Sequence, residues 1–183
     1  RAVGEVMSIG KTYKEALHKA IRSLEIGRHG MGFAKDFNKK TLSQLLEMLA
    51  EATSERQFIM YEALRKGADV DELNKLTNIK KYFIEQMKEL VMLEEEILKC
   101  KGGNLPDDLL ERAKKDGFSD KYIAKLLGVD ETQIRNSRMA LGVVEGWEPV
   151  PVSGVENAAY YYSTYNSPDK APVSNNKKIM ILG

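Results

Sequence analysis

The 183-residue chain is long enough for one domain with a real core and short for two. Its 28 Lys and Arg against 27 Asp and Glu leave a formal charge of +1, which gives no global field toward nucleic acid, an anionic membrane or an acidic partner. One cysteine, Cys100, precludes an internal disulfide, and His18 and His29 cannot by themselves supply a zinc shell, so a reducing, cytoplasmic setting is expected.

In chain order, Val3–Ile9 alternates imperfectly between Gly4 and Gly10 and reads as a short strand from a sheet not contained in the chain. Thr12-Tyr13-Lys14-Glu15 reads as a capping box, and Ala16, Leu17, Ala20, Ile21 and Leu24 follow at helical spacing until Gly27. Residues 27–40 are glycine-rich and basic, as a loop would be. A second helix opens at Thr41 with another capping pattern to Gln44, carrying Leu42, Leu45, Leu46 and Leu49 on one face. A third spans Glu55–Lys66, with Phe58, Ile59, Glu62 and Ala63 marking its turns and Gly67 placed to stop it. A short piece at Asp71–Leu76 precedes the longest helix, Lys80 to about Lys99, whose apolar residues Phe83, Ile84, Met87, Leu90, Val91, Ile97 and Leu98 suit a core spine.

Gly102 and Gly103 break that helix, and Pro106 opens the next, toward Lys115. Phe118–Leu141 holds two short helices hinged at Gly128, with Ser119 and Asp130 as caps. Composition then shifts. Residues 142–176 carry four of the five prolines, the only tryptophan and the cluster Tyr160, Tyr161, Tyr162 and Tyr165, which predicts an extended linker held by aromatic anchors. Lys178–Leu182 reads as a strand before Gly183. No run approaches the roughly 20 apolar residues that cross a bilayer. The chain opens at Arg1 and stops just after that strand-like run, so both ends read as cut.

The expected fold class is all-α, an irregular bundle of about six to seven helices with short orphan strands at the termini and an extended C-terminal linker. Little catalytic chemistry is legible in it. Glu94, Glu95 and Glu96 occupy consecutive helical positions that point apart, and read as a solvated charged face. Cys100 sits at a helix C-terminus, where the dipole disfavours thiolate. His18 and His29 read as packing or surface residues. The sharpest competing pattern is Asp120–Arg138, where Ala124, Gly128 and Ile134 fit a DNA-binding helix-turn-helix with Arg135 and Arg138 on its second helix. Four basic residues against three acidic ones between Phe118 and Gly142 give it little hold on phosphates. No segment combines a nucleophile with its base, a metal shell or a complete phosphate loop, so neither catalytic, cofactor-binding nor metal residues are assigned.

Several blocks nevertheless carry a family signature. Gly4-Glu5-Val6-Met7-Ser8-Ile9-Gly10-Lys11-Thr12, with Lys19-Ala20-Ile21-Arg22-Ser23-Leu24-Glu25, resembles the end of the first ATP-grasp domain of carbamoyl phosphate synthetase large subunits. Leu76-Thr77-Asn78-Ile79, Tyr82-Phe83-Ile84 and Glu89-Leu90-Val91-Met92-Leu93-Glu94 resemble the long helix of that family's oligomerisation domain, and Lys115-Asp116-Gly117-Phe118-Ser119-Asp120 with Ile123–Gly128 its next part. Tyr161-Tyr162-Ser163-Thr164-Tyr165 and Lys177–Gly183 resemble the lead into the second half. One stretch departs: Pro149–Asn157 stands where many relatives have a Val-Asp-Thr-Cys-Ala-Ala-like run.

The resemblance implies four segments: residues 1–26 as the tail of the first ATP-grasp domain, 27–145 as the helical oligomerisation domain, 146–176 as the aromatic linker and 177–183 as the first strand of the second half. It implies a non-catalytic spacer that self-associates through its helices, with an apolar patch between Thr41 and Lys99. Its parent would make carbamoyl phosphate from bicarbonate, glutamine-derived ammonia and two ATP, for arginine and pyrimidine synthesis. That parent would use ATP and Mg2+, with Mn2+ or K+ as further ions, and bind a small glutaminase subunit. By the same resemblance Glu5 lines the internal passage of the carbamate intermediate.

Overall fold

The computed structural model of the chain describes residues 5–154 and 160–179. Eight α-helices fill it, against the six to seven expected: α1 (Tyr13–Ser23), α2 (Leu42–Leu49), α3 (Arg56–Arg65), α4 (Val70–Thr77), α5 (Lys81–Lys99), α6 (Asp107–Lys115), α7 (Asp120–Leu127) and α8 (Glu131–Ala140). A single 3-10 turn, Phe37–Lys39, and two short strands, β1 (Gly146–Pro149) and β2 (Tyr161–Thr164), complete the order. The all-α class holds.

Helix α5 is the axle. It runs about 28 Å at 1.5 Å per residue and packs on α1, α3, α4, α6 and α7. Ile84, Met87, Leu90, Val91 and Ile97 are buried along it, as the three-to-four spacing requires. Helix α3 obeys a different rule. Every residue from Phe58 to Leu64 is buried, so it has no solvent face over those two turns and runs through the middle of the domain. Leu45 and Leu49 of α2 and Leu73 of α4 close the core on one side, Leu110, Phe118, Ile123 and Leu127 on the other.

The ends of the helices are set by local chemistry. Thr41 and Gln44 form a full capping box, as do Asp130 and Gln133, and Ser119 caps α7 by accepting from the Tyr122 amide. At α1 the box is displaced. The Thr12 hydroxyl accepts from the Glu15 amide, but the Glu15 carboxylate takes the amide of Lys11 at 2.7 Å and the hydroxyl of Thr164 at 3.0 Å. Helix α1 also ends before Gly27, with Leu24 at its C-cap and Glu25 already left-handed.

The strands lie elsewhere than the alternation predicted. Among the described residues, Glu5–Gly10 makes no ladder, because no neighbouring strand offers it backbone partners, and Ser8 instead donates to the Ala16 carbonyl. Val3 and Gly4 lie outside the described residues, as do residues 180–183 of the second expected strand; Ile179 is exposed coil. The extended stretch expected over 146–176 contains the paired strands, antiparallel with Gly146 opposite Thr164 and Pro149 opposite Tyr161. Val155–Ala159, in the divergent stretch, lie outside the described residues.

Candidate functional site

A cluster of buried charge lies where α3, α5 and α7 meet. Glu94 of α5 is fully buried. Its Oε2 accepts from the hydroxyls of Tyr61 and Tyr122, each at 2.8 Å, and its Oε1 meets a guanidinium nitrogen of Arg65. Arg65 also bonds Glu62 at 2.9 Å and Glu95, and its guanidinium lies over the ring of Phe33. Glu62, itself buried, accepts the Phe33 amide at 2.7 Å, and the Gly32 amide donates to Tyr122 Oη. Burial raises the Glu94 pKa while Arg65 and the two hydroxyls oppose it; burial, then the Glu94 charge, raises both tyrosines well above their usual range.

This corrects the reading of Glu94–Glu96 as one solvated face. Glu95 and Glu96 do reach the surface, where Glu96 pairs with Arg112, but Glu94 turns inward to a site whose donors satisfy both its oxygens. The available signal was in α3: Tyr61 and Glu62 interrupt the apolar run Phe58–Leu64, and polar groups inside such a run need partners when buried. With both oxygens engaged, Glu94 fits a structural keystone better than an acid or base.

A second polar seam joins α1 to the strand pair. A cleft of about 290 Å3 lies between them, walled by Glu15, Lys19, Arg22, Lys114, Asp120 and Tyr165. Arg22 donates to the Gly117 carbonyl at 2.8 Å; Lys19 donates to the carbonyls of Ile9 and Ser163. Lys114 donates to Phe118 O and Asp120, and lies 4.8 Å from the centroid of the Tyr165 ring; burial lowers its pKa and Asp120 opposes that. Next to this seam Glu148 accepts from Lys11, Lys170 and Tyr162, and the two lysine bonds hold its carboxyl down to about 2.

His18 is wholly buried, bonded through Nδ1 to the Asp116 carbonyl and packed edge-on against Phe118, so it is a packing residue; burial lowers it to about 4. His29 sits half-buried in the loop after α1. Cys100 caps α5, and Glu5 is exposed and belongs to neither charge cluster. All the helix-turn-helix positions but Arg135 are taken up by the fold itself. Ala124 and Ile134 are buried, Gly128 is left-handed at the α7 C-cap, and Arg138 is drawn inward onto Asp120 at 2.7 Å and Val143 O at 3.2 Å, which leaves Arg135 as the exposed arginine of α8. Among the described residues no group of three His, Cys, Asp or Glu side chains could hold a metal ion.

The sequence that folds into this bundle has a counterpart outside the chain. The family model described as carbamoyl-phosphate synthetase large chain, oligomerisation domain, matches residues 5–142. The chain belongs to this family. Carbamoyl phosphate synthase large chains from Methanothrix thermoacetophila, Halomonas eurihalina and Archaeoglobus fulgidus are 41%, 40% and 38% identical to it over its whole length. The chain spans 17–18% of the length of those relatives. For an oligomerisation domain, the relevant surface is apolar and unclaimed by the core. Tyr82 (54% exposed) and Phe83 (37%) at the start of α5 form one with Tyr13 of α1, whose ring centroid lies 5.0 Å from that of Phe83. It falls inside the stretch Thr41–Lys99 that the resemblance singled out, with Tyr13 added from α1.

Proposed function

We propose that the chain is the non-catalytic oligomerisation and spacer module of a glutamine-dependent carbamoyl phosphate synthetase large subunit. The parent would make carbamoyl phosphate from bicarbonate, glutamine-derived ammonia and two ATP, in the cytoplasm, alongside a small glutaminase subunit. The observation that carries this reading is the family match over residues 5–142. A buried polar centre toward one end of α5 and an exposed aromatic patch at its other end support the same role, since a spacer must hold its shape and an association surface must offer apolar area. Tyr82, Phe83 and Tyr13 are where we place the contact with a second copy. Glu5 keeps the passage-lining role suggested by resemblance, and its exposed position is compatible with facing another domain.

Light scattering across a wide concentration range tests the association. A mass of twice the chain or more, returning to monomer in a Tyr82→Ser, Phe83→Ser variant with unchanged helicity, is the expected result. A chain that stays monomeric at every concentration removes self-association from the module and leaves it a spacer. For Glu5, Glu5→Ala in the full-length parent should reduce carbamoyl phosphate output while both partial ATP-hydrolysis rates persist; unchanged output withdraws that role.

A further inference from the structure

The glycine-rich, basic loop after α1 lies outside the aromatic patch proposed for association, and it walls a hollow of its own. Arg28, His29 and Lys35 of the loop meet Tyr122 and Lys125 of α7 around a hollow of about 210 Å3. Among the described residues no carboxylate lines it. Arg28 and Lys35 share one acidic partner, Glu55, at 2.9 and 3.1 Å, so with Lys125 the walls keep two positive charges. Arg28 stands behind this wall, its guanidinium 4.0 Å from the centroid of Phe58 and its Nη1 shut away from solvent, so it contributes charge to the hollow rather than a direct bond.

The loop is also held in advance. The Gly32 amide is tied to Tyr122 Oη and the Phe33 amide to Glu62, so an arriving ligand does not have to order the backbone. The hollow lies below the roughly 300–1,000 Å3 typical of larger ligands, and its charge matches a dianion better than a carboxylate. We infer that it binds a small doubly charged oxyanion of the phosphate class, with Lys125, Lys35 and Arg28 as its cationic walls. This goes beyond the association reading and does not depend on it.

His29 is the built-in reporter. Burial lowers its pKa, and the neighbouring Lys121, Lys125 and Arg22 lower it further, while Glu131 opposes them. A bound dianion reverses the sign of that field, so the His29 pKa should rise on saturation. The experiment follows the imidazole resonances of the full chain during titration with inorganic phosphate, methyl phosphate, acetate and chloride at matched ionic strength, with buried His18 as internal control. The expected result is a saturable shift of His29 alone with phosphate, weakened at least fivefold in Lys125→Gln and in Lys35→Gln, two exposed positions whose substitution spares the core. Saturation by inorganic phosphate only assigns the free ion; equal saturation by methyl phosphate assigns the phosphoryl group of a larger metabolite. Acetate or chloride acting as well as phosphate, or binding unchanged in both variants, overturns the proposal.

Discussion

Glu94 shows how one side chain can organise three helices. Its carboxylate is out of water, so its stability rests on the donors of Tyr61, Tyr122 and Arg65, and removing the acceptor leaves two buried hydroxyl donors without a partner and takes from Arg65 one of its three carboxylates. Glu94→Ala should therefore cost about 3–5 kcal/mol in urea unfolding, and Tyr122→Phe about 1–3 kcal/mol, since it loses the bonds to Glu94 and from the Gly32 amide and keeps the ring packing. His18 supplies the pH dependence. Above pH 6.5 it is neutral in both states; between 6.5 and about 4 the unfolded chain takes up a proton that the folded one refuses, so stability falls as pH falls across that window. The loss should reach ~3 kcal/mol at its lower end, and denaturation curves of His18→Gln should lack that slope. Neither residue could be placed from the sequence. A helical carboxylate next to two more looks solvated, and a histidine in an amphipathic helix reads equally as packing or surface, until the neighbours across space are known.

At the scale of elements, the two kinds of helix were unequally legible. Helix α5 declares itself, because a period of three to four residues maps directly onto one buried stripe. Helix α3 exists where its pattern predicts, but periodicity could not reveal that it is enclosed on all sides, since that depends on α2, α5 and the loop closing around it. The strands could not be foreseen from alternation either: β1 and β2 are defined by each other, across an intervening stretch of divergent sequence. The loop between α1 and α2 shows the limits of substitution. A Cβ on Gly30 would fall within the Tyr122 ring and one on Gly32 on the Glu94 carboxylate, whereas at Gly103 the nearest atom is 3.6 Å away. Gly30→Ala and Gly32→Ala should lower the melting temperature sharply, and Gly103→Ala should leave it near that of the parent. In the same way Arg138→Ala should cost about 1–3 kcal/mol through the loss of its bonds to Asp120 and Val143, while Arg135→Ala should stay within about 0.5 kcal/mol. A DNA-reading helix would show its deficit in salt-sensitive duplex binding instead, which is the measurement that separates the two roles.

Across the whole molecule the bundle and the strand pair are joined by few but strong polar contacts. Glu15 reaches Thr164, Lys19 reaches Ser163, and Glu148 gathers Lys11 and Lys170. Because the two lysines hold the Glu148 carboxyl near 2, its contribution is complete above its usual 4.5 and fades only as pH falls toward 2. Glu148→Gln should leave the helices intact and speed hydrogen exchange in Gly146–Pro149 and Tyr161–Thr164, where uniform exchange with the parent would show the contact to be dispensable. The position of this contact has a mechanical meaning. Lys11 stands just before the first helix and Glu148 just after the last, and their side chains meet at 2.7 Å. Tension applied through the two flanking arms would then be borne first by this ion pair and by the Glu15–Thr164 and Lys19–Ser163 bonds beside it, in parallel with the bundle, so the helices would carry load only after that clasp had parted.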